Sequence, residues 1–346
     1  MSRLAISMRV VAGLATAAVL VLVGAWLAME RWLDAPVAID EGAHRIEVPV
    51  GQPFSRTAQD LAARGFIDHP RIFAAYARLH GTDARVRAGE YEIQPGTSPR
   101  QLLALLESGA VVRRSITVVE GWTFRDLRRV LEEDTAIAQT LAGEDDAAVM
   151  AALGEPGVAA EGAFFPDTYL YDKGTTDLAI LRKARERMRA ELDAAWQSRA
   201  QDLPLANAYE ALVLASIVEK ETALASERAR IAGVFIHRLR MGMRLQTDPT
   251  VIYGLGPGFD GNLRRSDLER DGPYNTYTRE GLPPTPIGLP GAASLAAAVR
   301  PDERGETYFV ATGLPDGSHE FSRTLAEHER AVARYLRRYR NRTTGH

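Results

Sequence analysis

The chain has 346 residues, 46% hydrophobic and 25% charged, with a formal charge of −3 and no cysteine. Such a length exceeds one ordinary domain, and the balance of 42 basic against 45 acidic side chains removes the electrostatic case for a nucleic-acid partner. The lack of thiols excludes disulfides, thiolate metal ligands, a cysteine nucleophile and thiol-linked lipid.

Residues 10–29 carry no charge. About 20 residues at about 1.5 Å each span a hydrocarbon core of about 30 Å. Arg3 and Arg9 precede this run, and Glu30, Arg31 and Asp34 follow it. The asymmetry predicts a cytoplasmic N-terminus and an exported remainder, with Trp26 and Trp32 near the outer boundary. A cleaved signal peptide is the competing reading; the run is long for one, and no convincing A-x-A site follows. Residues 1–43 are expected to be a cytoplasmic stub, a transmembrane anchor (10–29) and a polar juxtamembrane linker over 30–43, with Pro36 and Gly42.

Three short β-rich runs follow, each leading through a glycine (Gly51, Gly96, Gly121) into an amphipathic segment: 54–64, 99–108 and 124–133. Leu102, Leu103 and Leu106 share a face of the second, and Pro70 opens a further helix over 70–79. Residues 44–112 read as a small α+β module and 113–346 as a second domain. The βααβ order with an early glycine resembles the LysM family, which binds N-acetylglucosamine-containing glycans, though generic α+β architecture gives the same pattern. Residues 140–160 read as helix and loop, and 177–201 as a long, solvated, charged helix.

Residues 211–218 are apolar on every side except at Ser216, which predicts a buried helix. Glu219 follows, stacking with Leu212 and Ser216 on one face. A carboxyl at the edge of an apolar helix is desolvated and keeps its proton more readily, as a general acid requires; an ordinary solvated glutamate is the alternative. Glu221 lies about 200° around the helix from Glu219, so both cannot enter one site. Further on, Gln246, Thr247, Asn275 and Thr276 alternate with Tyr253, Tyr274 and Tyr277 in loops. Amides and tyrosines there are suited to reading sugar hydroxyls and stacking on pyranose rings; a turn-rich connector would carry the same residues.

No metal or cofactor is expected. His44, His69, His80, His237, His319, His328 and His346 show no HExxH spacing, and the glycines at 254, 256 and 258 lack the lysine and strand–helix context of a phosphate loop.

SIVEKET (216–222), LQTDPTVIYG (245–254), YNTY (274–277), GLPP (281–284) and EGAFFPDTY (161–169) together resemble the YceG-like (MltG) family of endolytic murein transglycosylases. The likeness runs over essentially the whole chain, apart from Thr285 where the family pattern suggests glycine. It implies an α+β lytic transglycosylase domain and an inner-membrane enzyme with its catalytic part in the periplasm. Its partner would be peptidoglycan glycan strands, with peptidoglycan synthases as plausible neighbours. The enzyme would cut the β-1,4 link between N-acetylmuramic acid and N-acetylglucosamine, leave 1,6-anhydromuramic ends and terminate strand elongation. The family's catalytic glutamate falls on Glu219; Gln246, Tyr274, Asn275 and Tyr277 are the expected glycan contacts. Ordinary glycosidases use two carboxylates. No compelling companion to Glu219 is apparent, although Asp248 and Glu221 are nearby in sequence. This suits a reaction in which the muramic C6 hydroxyl is the nucleophile. A hydrolase and a non-catalytic glycan-binding scaffold are the rival readings.

Overall fold

The computed structural model describes residues 3–37, 42 and 44–343. It is an α+β chain with one N-terminal apolar helix, α1 (Arg3–Asp34), whose span Ala12–Asp34 has mean hydropathy 2.1 and is long and apolar enough to cross a membrane. Helix α1 runs on through the first residues expected in the linker because its last turns have partners. Leu33 is fully buried, and the Trp32 ring stands edge-on to Phe73 with centroids 6.5 Å apart. Arg100 donates to Glu30 Oε2 at 2.5 Å and to Asp34 Oδ1 at 2.6 Å. Trp32 packs against Phe73, whereas Trp26 is exposed. The rest of the expected linker, 38–41 and 43, lies outside the described residues, as do the first two residues of the stub and His346.

The chain divides into two compact units: residues up to Arg114 with Asp172–Gly174, and Ser115–Tyr171 with Thr175 onward. In the first, β1 (His44–Val48) leads to α2 (Phe54–Ala63) and α3 (Pro70–Leu79), and β2 (Gly89–Ile93) pairs antiparallel with β1, Ile46 opposite Tyr91. Helix α4 (Pro99–Ser108) follows, opened by a capping box between Ser98 and Gln101 and closed at Gly109 in the left-handed region. Phe54, Leu61, Phe73, Tyr91, Leu102, Leu103 and Leu106 form its core. The buried Tyr91 hydroxyl donates to Arg87 O at 2.7 Å.

The second unit begins at Ser115, within β3 (Arg113–Thr117), and continues to α5 (Phe124–Glu133), again with a capping box, between Thr123 and Asp126. Then come α6 (Asp146–Ala152), β4 (Thr168–Asp172), which pairs with β3, and α7 (Asp177–Gln197). Helix α7 is charged but not simply solvated: Ile180, Leu181, Ala184 and Met188 are buried, and buried Asp177 accepts from the backbone N–H groups of Thr140 and Leu141. Helix α8 (Ala208–Glu221) is the centre of a second core, with Ala211–Val218 buried throughout, as the apolar run predicts. Around it lie α9 (Arg228–Arg240), α10 (Asp248–Leu255), the short α11 (Arg265–Glu269) and α12 (Ala292–Val299). A hairpin of β5 (Tyr308–Ala311) and β6 (His319–Ser322) and helix α13 (Leu325–Thr343) complete it.

The three strand–glycine–helix units are all present, with Gly51, Gly96 and Gly121 at φ 76°, 78° and 80°. That conformation is open to glycine and strained for other residues, which is why the same punctuation recurs.

Candidate active site

Glu219 is the first side chain beyond the buried run of α8. Its side chain is 6% exposed, and both carboxylate oxygens accept: Oε1 from Arg228 Nη2 at 3.2 Å, Oε2 from the Gly291 N–H at 2.9 Å. Arg228 opens α9 and Gly291 precedes α12, so three helix ends converge on one carboxyl. Arg228 Nη2 also lies 3.8 Å from Glu120 Oε2. A Cβ on Gly291 would fall 1.8 Å from Glu120 Oε1, so a larger residue there would require the half-exposed Glu120 carboxyl to swing aside. The 120–122 segment is held here by backbone pairing: Gly121 N–H to Leu289 O at 2.8 Å and Leu289 N–H to Trp122 O at 2.7 Å. Ser216 Oγ, fully buried, accepts from Ile287 N–H at 3.0 Å and fixes the same loop to α8.

Beside this cluster opens a cleft of about 1000 Å³ whose walls include Thr123, Arg125, Glu161, Lys220, Tyr253 and Tyr274. Glu161 Oε1 accepts from Phe124 N–H at 3.0 Å and Oε2 from the Tyr253 hydroxyl at 3.1 Å. Burial pushes its carboxyl up to about 7, against the lowering effect of these hydrogen bonds. Burial, reinforced by Glu161, likewise pushes the Tyr253 phenol up and keeps it a donor. The Tyr253 and Tyr274 rings meet at 64° with centroids 4.9 Å apart, and Tyr274 shares a hydrogen bond of 2.8 Å with Thr285.

The 245–247 and 274–277 loops are tied together: Gln246 N–H donates to Thr276 O at 3.1 Å, Thr247 N–H to Thr276 Oγ1 at 3.1 Å. Gln246 is exposed and sits at φ 50°, a strained backbone for a residue with a side chain. Tyr277 donates to Asp248 Oδ1 at 2.5 Å. Asn275 is buried; its amide donates to Asp267 O, Leu268 O and Arg270 O, and its Oδ1 accepts from Tyr277 N–H. Glu221 points away from Glu219 and accepts from Thr247 Oγ1, its carboxyl pushed above the usual range by burial.

A model of the YceG-like family matches residues 46–334. The chain belongs to the YceG-like family. A Bacillus subtilis protein named endolytic murein transglycosylase is 30% identical over 334 residues, covering 92% of this chain and 91% of that one. A Streptococcus pneumoniae protein of the same name is 26% identical over 350 residues; the match takes in 90% of this chain but 62% of the relative. The crystal structure of a YceG-like protein from Listeria monocytogenes is 28% identical, with a TM-score of 0.51 over 83% of this chain and 98% of that chain.

In this YceG-like chain the expected site residues are not all gathered in one place. Tyr274 lines the cleft; Glu219 adjoins it, one residue before Lys220 on the wall; Gln246, Asn275 and Tyr277 are not among the lining groups. Asn275, expected to contact glycan, spends its amide on three backbone carbonyls of its own loop. Two further carboxyls lie in this region: Glu120 shares Arg228 with Glu219, and Glu161 faces the cleft. Sequence reasoning missed both, together with Arg228 and Gly291. The one available signal was that Glu161 opens EGAFFPDTY.

That motif meets GLPPTPI in space. Gly162 has φ 77°, and a Cβ there would lie 2.4 Å from Pro286 Cβ. Gly162→Ala combines left-handed strain with overpacking, for an expected loss of about 2–4 kcal/mol. Thermal denaturation should show Tm lowered by about 5–15 °C; an unchanged Tm would show that the two segments are not in this contact.

Proposed function

We propose that this chain is an endolytic murein transglycosylase with Glu219 as its single acid and base. The observation that carries the residue assignment is the placement of Glu219, a nearly enclosed carboxyl at the end of an apolar helix, held from both sides by donors beside a cleft. Glu219 would give its proton to the glycosidic oxygen as the bond to C1 of the muramic residue breaks. The muramic C6 hydroxyl then bonds to C1 and returns its proton to Glu219, closing the 1,6-anhydro ring without consuming water. Between the two transfers the carboxylate is ionised, and the N–H groups of Arg228 and Gly291 are in place to stabilise that state.

Tyr274 on the cleft wall, exposed Gln246 and Tyr277 are the proposed glycan contacts, with Asn275 shaping the loop that bears the tyrosines. Residues 44–112 are read as a LysM-like glycan-binding module and 113–346 as the catalytic domain. The uncharged run at 10–29 would anchor the chain in the inner membrane, with the catalytic part in the periplasm. A strand-terminating enzyme there would work beside peptidoglycan synthases.

Incubating the full-length protein in detergent with uncross-linked glycan strands tests this reading through product length. Internal cleavage gives mid-length fragments early in the reaction. Release of end disaccharides alone would overturn the endolytic assignment, and uncut but bound strands would leave a scaffold. Hydrolysis is the second reading, favoured specifically by the presence of Glu120 and Glu161 near Glu219.

A further inference from the structure

The mechanism above makes no use of Glu161, although its carboxyl lines the cleft and is largely withdrawn from solvent. One face of its role is structural: Oε1 accepts from Phe124 N–H, the first residue of α5. The capping box of Thr123 and Asp126 serves the N–H groups of those two residues, and Glu161 Oε1 serves the remaining first-turn N–H of Phe124. Oε2 is turned instead to Tyr253, which is itself packed on Tyr274, the cleft-lining tyrosine. Gly121, packed near Glu219 Cγ, and Phe124, bonded to Glu161, are three residues apart. A chain of that length spans at most about 10 Å, which leaves both carboxyls within the reach of one extended glycan strand.

We propose that Glu161 is a second substrate-contacting carboxyl of this site, one that in its neutral form donates a hydrogen bond to an acetamido carbonyl oxygen of bound glycan. The inference rests on the glycan-cleaving reading. An acetamido group presents a carbonyl oxygen, which a neutral acid can meet as donor, and an N–H, which an ionised carboxylate could meet only as acceptor, so the pH dependence of binding distinguishes the two contacts. Burial favours the neutral form: the carboxyl titrates at about 7, so the donor is present below that pH and lost as pH rises through it.

Other titratable groups share the cleft. Helix α5 brings Arg125, Asp126, Arg128, Arg129 and Glu132, the segment before α6 brings Glu144, α6 brings Asp146, α8 brings Lys220, α10 brings Tyr253, and Tyr274 comes from a later loop. Asp146 raises Glu161 by repulsion, and the Tyr253 hydroxyl lowers it. A variant at Glu161 itself is therefore needed to assign any titration.

The full-length protein carrying Glu219→Gln, in detergent, allows affinity for uncross-linked glycan strands to be measured without turnover. Affinity is expected to fall about tenfold from pH 6 to pH 8, as the protonated fraction of a group titrating near 7 does. Adding Glu161→Gln, which keeps an uncharged donor, is expected to hold the affinity level across that range. The same fall in the double variant would overturn the proposal, as would loss of binding at both pH values with Tm retained. Tyr253→Phe supplies an independent arm: without the hydroxyl the midpoint of the fall should move to higher pH, and an unmoved midpoint counts against the proposal. Wild-type turnover of the same strands is followed in parallel. Strands bound with this pH dependence but left uncut would defeat only the glycan-cleaving reading. Strands cut but bound without pH dependence would defeat only the Glu161 proposal, and no binding at all would defeat both.

Discussion

Replacing Glu219 by glutamine is expected to lower the rate of glycan cleavage about a hundredfold to ten-thousandfold, the range typical of a lost general acid–base group. The fold should be retained. Glutamine keeps the shape of the side chain, and its carbonyl oxygen can still accept from Arg228 or Gly291. What it lacks is the proton. Arg228 loses its nearest anion, yet Glu120, 3.8 Å away and half exposed, remains to balance it. Initial rates on uncross-linked strands, with Tm as the folding control, give the answer. A variant that cuts at the wild-type rate removes Glu219 from the chemistry.

Asn275→Ala is expected to act on stability before it acts on turnover. The wild-type amide satisfies the carbonyl oxygens of Asp267, Leu268 and Arg270 and receives Tyr277 N–H. Truncation leaves those groups short of partners in a buried place, where each unmet group costs about 1–3 kcal/mol before relaxation and water entry. A net loss of about 2–4 kcal/mol follows, measured by urea or thermal unfolding. Asn275→Asp, equal in size, should be as damaging, because it sets a carboxylate with no N–H to donate against three carbonyl oxygens. An aspartate variant with normal stability and impaired glycan binding would restore Asn275 to the ligand-contacting role expected from its place in YNTY.

Much of the fold was legible because it is written in local chemistry. The uncharged run at 10–29, the continuous apolar stretch at 211–218 and the glycines at 51, 96 and 121 each dictate an element without reference to the rest of the chain. What failed depended on partners far away in sequence. Residues 30–34 look like a polar linker until Arg100 and Phe73 are set beside them. Asp177 reads as a solvated helix start, yet it is buried under the Thr140 and Leu141 N–H groups. At the site, Glu219 could be found from the apolar helix behind it, and Glu221 could be turned away by angle alone. The backbone role of Asn275 was not legible because a loop amide serves a sugar or its own backbone equally well, and nothing local says which. Glu161 went unassigned because its burial is made by Tyr253 and the α5 start, which only the folded chain brings to it.

The mass of the new glycan ends tests the central claim most directly. Full-length wild-type protein and the Glu219→Gln variant are incubated with uncross-linked strands, and the fragments are weighed. The account predicts 1,6-anhydromuramic ends from the wild type and almost none from the variant over the same time. Ends heavier by one water would contradict it, placing the chain among hydrolases and giving the second carboxyl, Glu161 or Glu120, the task of activating water.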